Sequence, residues 1–344
     1  MKDMRKRLTA LGLGMLLTAI LLTGCAAAEK KRFQASYLSL FDTVTVILGY
    51  EEREEDFAAR AEWIHEQMEM YDHLYDIYHE YPGLVNLCTL NSHPGEAFQV
   101  DQRIIDLLLL AREADAFSGH RTDAMYGSVL SLWHEAREEG INDPENARLP
   151  DPEALERAAE HAGFDRIELD PETCTVTILD PEARLDVGAL AKGYAVQRVS
   201  EELPEGYLLS VGGNVAATGP KPDGSAWSVG VQDPDAAGEK YLHKLRLEKG
   251  SVVTSGDYQR YYTVDGKRYH HLIDPETSFP GNRWRAVTII AEDSGIADAL
   301  STSLFLMDRE AGQKLLDRFH AEALWIAPDG TLLFSPGYED YLIP

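Results

Sequence analysis

The chain has 344 residues, of which 44% are hydrophobic, and it carries a formal net charge of −26. Such an excess of acidic residues argues against the basic stripes by which proteins bind nucleic acids. It suits a folded domain outside the cell, with most of the charge on a solvated surface.

The N-terminal segment has the pattern of an export signal. Four basic residues among the first seven precede an apolar run over 8–22, which is shorter than the ~20 residues that span a bilayer comfortably. The run ends in Leu22-Thr23-Gly24-Cys25, which is typical of a bacterial lipoprotein signal. It predicts a signal peptide over 1–24, a lipidated Cys25, a tether over 25–34, and a lipid anchor on the extracytoplasmic face of the cell membrane. An ordinary secretory signal with a chance cysteine is the alternative.

Hydrophobic periodicity predicts the elements that follow. Apolar, β-branched residues predict strands over 35–50, and a buried strand is expected over 287–291. A polar segment with two prolines predicts a loop over 141–151, and short strands with turns are expected over 166–185 and 207–263. Helical spacing predicts helices over 54–74, 101–117, 152–162, 188–202, 294–307 and 309–319. Because helices and strands mix without a regular βαβ alternation, the chain is predicted to form one α+β domain over 35–344.

The segment 254–277 contains the densest group of chemically active side chains. Thr254-Ser255-Gly256-Asp257-Tyr258 is followed by an Asp265-Gly266 turn and then by Tyr269-His270-His271-Leu272-Ile273-Asp274-Pro275. An Asp-Gly pair between two strands predicts a β-hairpin. A hairpin that ends in two histidines and an Asp-Pro turn indicates the edge of a site, because a purely structural hairpin does not need that chemistry.

The two histidines are predicted to have different roles. Histidine titrates near neutral pH, so it can take a proton from a hydroxyl group. Adjacent residues of a strand point to opposite faces, so only one of the pair is expected to face the site. His271 is the candidate general base and His270 is expected to point away.

A strand-to-helix junction is the candidate phosphate site. Asp186, Ala189 and Lys192 are spaced three apart there, and Gly188 would let the backbone approach a ligand. Asp186 is expected at the helix N-cap, and a helix N-terminus with a nearby lysine suits a phosphate group. A capped helix with a solvated lysine is the alternative.

A second carboxylate lies on the helix predicted over 294–307. Asp298 and Thr302 are four residues apart and so share one face of that helix. A carboxylate and a hydroxyl group suit Mg²⁺, which prefers oxygen ligands. We expect Asp298 to face solvent and to contribute little to packing; a first-turn acid with a core threonine is the alternative.

Two cysteines remain after Cys25. Cys88 and Cys174 show no spacing typical of metal ligands, and a disulfide between them is possible in an exported protein. Free thiols, buried or half-buried, are the preferred interpretation.

Several segments together resemble the ApbE family of FAD:protein FMN transferases. The family's TSGdY…HIIDP signature resembles residues 254–258 and 271–275. Its LDLGgiaKGyA block resembles residues 185–195, its glycine pair resembles 210–214, and its ADalaT block resembles 297–302. The blocks occur in the family's order, from about Phe41 to the C-terminus.

This resemblance implies a T-fold-related α+β domain that moves FMN from FAD onto a threonine or serine hydroxyl of extracytoplasmic targets, such as subunits of membrane redox complexes, and releases AMP. His271 and Lys192 would be catalytic, with backbone groups at Gly212 and Gly213 near the cofactor. Mg²⁺ would be held by the Ala189 carbonyl, Asp298 and Thr302, with Ser301 as an accessory. The FAD-binding residues would be Phe41, Tyr78, Arg121, Thr122, Asp123, Asp186, Lys192 and Ile273.

Two departures and two alternatives accompany the resemblance. Phe41 stands where the family usually has methionine, and Met125 where its FDPT-like block has threonine. A Mg²⁺-dependent FAD pyrophosphatase would use water in place of the threonine. A non-enzymatic lipoprotein would store FAD without converting it.

Overall fold

The structure is a computed structural model that describes residues 29–38, 40–235 and 240–344. The predicted signal peptide and Cys25 lie outside these residues. The first strand begins at Lys31, so the folded domain includes the last four residues of the predicted tether. Within the described residues, no helix is both long and apolar enough to cross a membrane.

Eight α-helices are present in the described part of the chain. They are α1 (Glu54–Tyr75), α2 (Leu87–Ser92), α3 (Gln102–Ser118), α4 (Gly127–Asn142), α5 (Pro152–Ala159), α6 (Ala191–Glu201), α7 (Ser294–Leu306) and α8 (Arg309–Phe319). Short 3-10 turns occur at Leu40–Asp42, Pro144–Asn146, Phe164–Arg166 and Tyr338–Tyr341.

The strands of the described residues are numbered in chain order. The first nine are β1 (Lys31–Tyr37), β2 (Thr45–Glu51), β3 (Phe98–Gln99), β4 (Ile167–Asp170), β5 (Thr175–Ile178), β6 (Tyr207–Val211), β7 (Asn214–Ala217), β8 (Trp227–Gln232) and β9 (Tyr241–Leu247). The others are β10 (Gly250–Gly256), β11 (Tyr261–Val264), β12 (Lys267–His270), β13 (Ile273–Asp274), β14 (Phe279–Pro280), β15 (Ala286–Ala291), β16 (Glu322–Ile326) and β17 (Leu332–Phe334).

An antiparallel sheet of eight strands organises the domain. Its order is β1-β2-β6-β7-β10-β15-β16-β17, and the remaining strands form small sheets of two or three strands. Alternate residues of β15 enter two different cores: Val287 and Ile289 pack with the helices, whereas Ala286 and Ile290 pack with the β8–β9 hairpin. The sheet is therefore covered on both faces, which explains why every residue of β15 is buried.

Most of the predicted elements are confirmed, as is the α+β class. The predicted helices match α8 at both ends and α1, α3, α5 and α7 to within three residues, and the loop predicted over 141–151 holds only the end of α4 and a 3-10 turn. The helix predicted from residue 188 begins instead at Ala191. Helix α4 and the short α2 were not predicted. Cys88 and Cys174 are free thiols, as preferred.

Two tight turns shape the chain near the candidate site. Asp265 and Gly266 join β11 to β12 with φ angles of 49° and 77°, which confirms the hairpin. Gly212 and Gly213 join β6 to β7 with φ angles of 50° and 95°, and Val211 pairs with Asn214 across the turn. Two-residue hairpin turns with positive φ at both positions are the type that asparagine, aspartate and glycine favour. The glycine pair is thus a turn that places Asn214 at the start of β7.

Helices α6 and α7 approach each other at Gly193. A Cβ at this position would overlap the Ser294 carbonyl oxygen and the Asp298 Cβ. Only glycine lets the two backbones come this close, and the contact sets the position of Asp298 relative to α6.

We expect Gly193→Ala to lower the free energy of unfolding by about 1–3 kcal/mol, because overpacking of this size forces backbone shifts. Urea unfolding followed by circular dichroism measures the loss. Ser200→Ala is the matched control on α6: the Ser200 hydroxyl has no partner among the described residues, so its removal is expected to be neutral or stabilising. Equal stability of the glycine and alanine variants would contradict the close-packing argument.

Candidate active site

A cavity of about 1340 Å³ lies between the C-terminal end of α1, helix α4, the segment that precedes α6 and the β11–β12 hairpin. It exceeds the ~300–1,000 Å³ of common small-ligand pockets. Twelve of the predicted cofactor, metal and catalytic residues border it: Phe41, Tyr78, Arg121, Thr122, Asp123, Asp186, Ala189, Lys192, His271, Ile273, Asp298 and Thr302. The structure therefore brings together residues that are distant along the chain.

The segment before α6 is fixed by hydrogen bonds to helix α2 and to the loop that precedes α4. The Asn91 side chain bonds both the N–H of Leu185, at 2.7 Å, and its carbonyl, at 3.0 Å. The next amide, Asp186 N–H, donates to Ala124 O at 2.8 Å. These bonds hold Asp186 at the cavity wall.

Asp186 is not the N-cap of α6, because the helix begins later and its N-cap position is Leu190. The carboxylate instead accepts the N–H of Gly188 at 2.8 Å, within its own loop. Burial raises the pKa of Asp186, and this rise is opposed by the Gly188 hydrogen bond and by the charges of Arg260, His134 and Lys192. The cations around the cavity thus help to keep this buried carboxyl ionised.

Asp298 is buried, with 4% of its surface exposed, so the expectation of a solvent-facing carboxylate is wrong. Its Oδ2 accepts the Gly193 N–H at 2.8 Å and the Asn214 Nδ2 at 2.9 Å. Burial raises the pKa of Asp298, whereas the charge of Lys192 and these two hydrogen bonds lower it. The carboxylate therefore connects α7 to α6 and β7, and it has a packing role as well as a place in the cavity wall.

Thr302 borders the cavity next to Asp298, but Ser301 does not. The Ser301 hydroxyl donates to the Asp298 carbonyl at 2.8 Å and bonds Ser255 Oγ at 2.8 Å. These bonds give Ser301 a role inside the fold, and the accessory metal role stays a prediction. Thr302 Oγ1 lies 3.4 Å from Ser255 Oγ.

The candidate metal ligands fit a hard cation. One Asp298 oxygen is occupied by Gly193 and Asn214, which leaves Oδ1 for a ligand. A buried carboxylate whose pKa is raised by desolvation is stabilised by a nearby cation. Thr302 and Ala189 border the same cavity, where a hydroxyl and a backbone carbonyl would add the oxygen donors that Mg²⁺ prefers. The described residues contain no cluster of three histidine, cysteine or acidic ligands, so the remaining ligands would come from substrate and water.

The two histidines differ in their hydrogen bonds. His270 Nδ1 accepts the Leu272 N–H at 3.2 Å, and its Nε2 lies 2.7 Å from the Gly281 carbonyl. These contacts require the Nε2–H tautomer and use both nitrogens. His271 Nδ1 lies 3.3 Å from the Arg260 carbonyl, so it carries the proton and leaves the lone pair of Nε2 available. Only His271 is therefore arranged to accept a proton, although both residues border the cavity.

Burial lowers the pKa of His271 to about 3, and the charges of Arg260, His270, Lys192 and Arg137 act in the same direction. The imidazole is therefore neutral at pH 7, as a general base must be before it accepts a proton. Negative charge entering the cavity would offset these cations and make His271 more basic.

Arg121 is held by two carboxylates. Its Nη1 lies 2.7 Å from Asp274 Oδ1, and its Nη2 pairs with Glu276. Nearby, Tyr126 OH bonds Ser278 Oγ at 2.7 Å and Trp133 Nε1 donates to the Ser278 carbonyl at 2.8 Å. The guanidinium therefore clamps the turn that follows His271, and it serves the site by positioning this segment.

Thr122 and Asp123 contribute in different ways. The Thr122 hydroxyl is buried and bonds the Ala114 carbonyl at 3.3 Å and Ser303 Oγ at 3.1 Å, so this hydroxyl serves packing and does not face a ligand. Asp123 Oδ1 accepts the Met125 N–H at 2.8 Å. Burial raises the pKa of Asp123 to about 6.

An aromatic shelf on the cavity wall includes residues that sequence reasoning missed. The Tyr78 ring is 53% exposed and stacks on His134, with ring centroids 4.8 Å apart. His134 Nδ1 accepts a hydrogen bond from Arg137 at 2.8 Å. His134 and Arg137 lie on α4, where no sequence block marked them. A planar ligand group can stack on the open face of Tyr78.

The loop that carries Phe41 is conformationally strained. Phe41 and Asp42 have φ angles of 50° and 54°, a region that side chains other than glycine rarely occupy. The Phe41 N–H donates to Asp72 Oδ1 at 3.1 Å. Burial raises the pKa of Asp72 to about 6. Strain of this kind is common at ligand sites, and Asp72 is a further wall residue without a sequence signal.

Comparison with known proteins agrees with this geometry. The sequence model of the ApbE family matches residues 41–325. An FAD:protein FMN transferase of Treponema pallidum is 33% identical over 274 residues, which are 74% of this chain and 74% of that protein. One of Klebsiella pneumoniae is 32% identical over 242 residues, covering 69% and 72%. The chain belongs to the ApbE family.

Solved structures show the same fold. The ApbE protein of Thermotoga maritima superposes with a TM-score of 0.81 at 30% identity, over 91% of this chain and all of that one. The flavin transferase ApbE of Vibrio cholerae superposes with a TM-score of 0.76 at 23% identity, over the same shares. Both comparisons confirm the single α+β domain that the sequence predicted.

The two carboxylates that pair with Arg121 are expected to contribute unequally to the stability of the protein. The Asp274 side chain is 11% exposed and that of Glu276 is 63% exposed. We expect Asp274→Asn to destabilise the protein towards the ~3–5 kcal/mol typical of a broken buried ion pair. Glu276→Gln should cost less than about 1 kcal/mol. Urea unfolding of both variants checks this, and equal losses would contradict the clamp.

Proposed function

We propose that the protein is an FAD:protein FMN transferase that moves FMN from FAD onto a threonine or serine hydroxyl of an extracytoplasmic protein and releases AMP. The observation that carries the proposal is the contact between His271 Nδ1 and the Arg260 carbonyl oxygen. The Arg260 carbonyl fixes the proton on Nδ1 and leaves Nε2 free at a cavity that also contains Lys192 and Asp298.

The chemistry balances with the residues present. The target hydroxyl gives its proton to His271 Nε2 while its oxygen forms a bond to the FMN phosphorus. The bond from that phosphorus to the bridging oxygen of the pyrophosphate breaks, and AMP leaves with this oxygen. The main requirement of such a transfer is positioning and stabilisation of charge. Lys192 supplies a positive charge at the cavity wall.

Other wall residues would bind the dinucleotide. The open ring of Tyr78 offers a stacking surface, and Asp186 and Asp123 offer carboxylates to hydroxyl or amino groups. Asp298, Thr302 and the Ala189 carbonyl would hold Mg²⁺, which when bound would neutralise charge on the pyrophosphate. Asn214 and Gly193 keep Asp298 in place.

The N-terminal sequence supports an address outside the cytoplasm. We propose that Cys25 carries a lipid and anchors the protein to the outer face of the cell membrane, with exported redox proteins as its targets. The support is the basic and apolar leader that ends in Leu22-Thr23-Gly24-Cys25.

Mass spectrometry of protein purified from its native membrane tests the anchor. We expect the N-terminal peptide to begin at Cys25 and to carry the added mass of acyl chains. A Cys25→Ala variant is the control and should be recovered in soluble form or unprocessed. An unmodified terminus at another residue would exclude lipidation.

The transfer itself is tested by incubating the protein with FAD, Mg²⁺ and an exported protein that becomes covalently fluorescent in the same cells. Flavin on the target supports the transferase. Free FMN and AMP without labelling would identify a pyrophosphatase, and unchanged FAD would identify a storage protein.

We expect His271→Ala to bind FAD but to transfer FMN ~10²–10⁴-fold more slowly, as is usual for loss of a general base. His270→Gln is the matched control, because an amide side chain can still donate to the Gly281 carbonyl. Its transfer rate is expected to stay near that of the wild type at a temperature where both variants are folded. Equal rates for the two variants would refute the assignment of the base.

For the metal site, we expect Asp298→Asn to fold but to lose the rise in melting temperature that Mg²⁺ gives the FAD-bound wild type. The amide oxygen can still accept from Gly193 and Asn214, whereas the charge is gone. Asp298→Ala should also lower stability, because each buried donor left unsatisfied costs ~1–3 kcal/mol. A full Mg²⁺ response in Asp298→Asn would show that Asp298 is not a ligand.

A further inference from the structure

Arg260 lies directly beside the candidate base. Tyr261 pairs with His270 at the end of the β11–β12 hairpin, so the next pair outward is Arg260 and His271. The Arg260 carbonyl accepts the His271 backbone N–H at 3.1 Å and lies 3.3 Å from His271 Nδ1. The two residues are thus fixed relative to each other by three features of one hairpin.

The Arg260 guanidinium is available to a ligand. It borders the cavity, and within the described part of the chain no carboxylate oxygen lies within 4.0 Å of it. Arg121 contrasts with it, because both ends of that guanidinium are occupied by Asp274 and Glu276. The charge of Arg260 acts to lower the pKa of Asp186 on the opposite loop and that of Tyr78 on the shelf, against the larger rise that burial causes in both. The positive charge of Arg260 therefore lies at the cavity wall, close enough to influence both of these groups and His271.

We propose that Arg260 is a further catalytic residue, whose guanidinium binds the non-bridging oxygens of the phosphoryl group under attack. The proposal rests on the proposed function. The hydroxyl that donates its proton to His271 Nε2 must attack a phosphorus beside that imidazole, which is where the hairpin holds Arg260. A planar guanidinium can donate two parallel hydrogen bonds to phosphate oxygens.

The arrangement also resolves an electrostatic conflict. An imidazolium beside a guanidinium is unfavourable when nothing lies between them. In the transfer step the phosphoryl oxygens gain negative charge as His271 gains its proton, so the anion separates and stabilises both cations. The positive charge of Arg260 therefore favours the neutral base before reaction and the charged phosphoryl group during it.

The experiment compares Arg260→Gln and Arg260→Lys with Arg268→Gln. Arg268 is the matched control, because it lies on the same hairpin and stacks on Tyr261 at 4.7 Å without bordering the cavity. The backbone carbonyl that orients His271 is kept in every variant. We expect Arg260→Gln to lower kcat for FMN transfer by ~10²–10³, as loss of one transition-state donor does. Arg260→Lys should recover part of this loss, and Arg268→Gln should match the wild type.

A pH profile gives a readout that a merely structural role would not move. The charged groups that lower the pKa of His271 are Arg260, His270, Lys192 and Arg137. Removing the positive charge of Arg260 raises this pKa, so the acidic limb of kcat/KM for Arg260→Gln is expected to move to higher pH. The limb of Arg260→Lys should stay near that of the wild type.

Three results would overturn the inference: an unchanged kcat in Arg260→Gln, a loss confined to KM for the target protein, or an equal loss in Arg268→Gln. The last two would assign Arg260 to target docking or to hairpin stability. Failure of the proposed function is distinguishable, because the wild type would then place no flavin on any target. Wild-type transfer together with an unaffected Arg260→Gln variant overturns the role of Arg260 alone.

Discussion

The arrangement of the site depends on the hydrogen bonds of the buried Asp298 carboxylate. This carboxylate joins α7 to the first turn of α6 through the Gly193 N–H and to the sheet through Asn214. Each partner is placed by a glycine: Gly193 allows the helices to touch, and the Gly212–Gly213 turn places Asn214. A buried charge needs such partners, because desolvation without them would neutralise it or unfold the region. The acid that was expected to face solvent is therefore part of the core, and the metal role proposed for Asp298 would share this side chain with packing.

The parts of the fold that sequence could predict are those with local signals. Regular apolar spacing marked α1, α3, α7 and α8, and the Asp265-Gly266 pair marked the hairpin. Helix α4 gave a weak signal, since it contains Gly127 and Gly140, which lower helix propensity. Both glycines are required by close contacts, with the Arg184 carbonyl and with the Tyr262 ring. Tertiary contacts therefore require glycines that weaken the helical signal of α4, so the sequence did not predict this helix or the roles of its residues His134 and Arg137.

The sequence predicted which residues line the site but not which of their polar groups are already hydrogen-bonded. Most of the residues identified by the sequence blocks border one cavity, yet the blocks did not show which side chains were already hydrogen-bonded. The Arg121 guanidinium is paired with Asp274 and Glu276. The Thr122 hydroxyl bonds Ala114 and Ser303. The Ser301 hydroxyl bonds Ser255 and the Asp298 carbonyl. These partners come from distant segments, and no spacing along the chain reveals them. Wall residues whose polar groups are hydrogen-bonded within the protein shape the cavity, whereas those with unbonded polar groups can bind a ligand.

The two histidines of one hairpin likewise differ in how many of their ring nitrogens are hydrogen-bonded. His270 and His271 are neighbours with nearly the same intrinsic chemistry, but His270 gives both nitrogens to the backbone at Leu272 and Gly281. His271 gives only Nδ1, to the carbonyl of Arg260. The first imidazole thus braces the turn, whereas the second leaves Nε2 without a hydrogen bond among the described residues. The brace and the candidate base are adjacent on one hairpin, and the carbonyl that bonds His271 Nδ1 belongs to Arg260, which borders the same cavity.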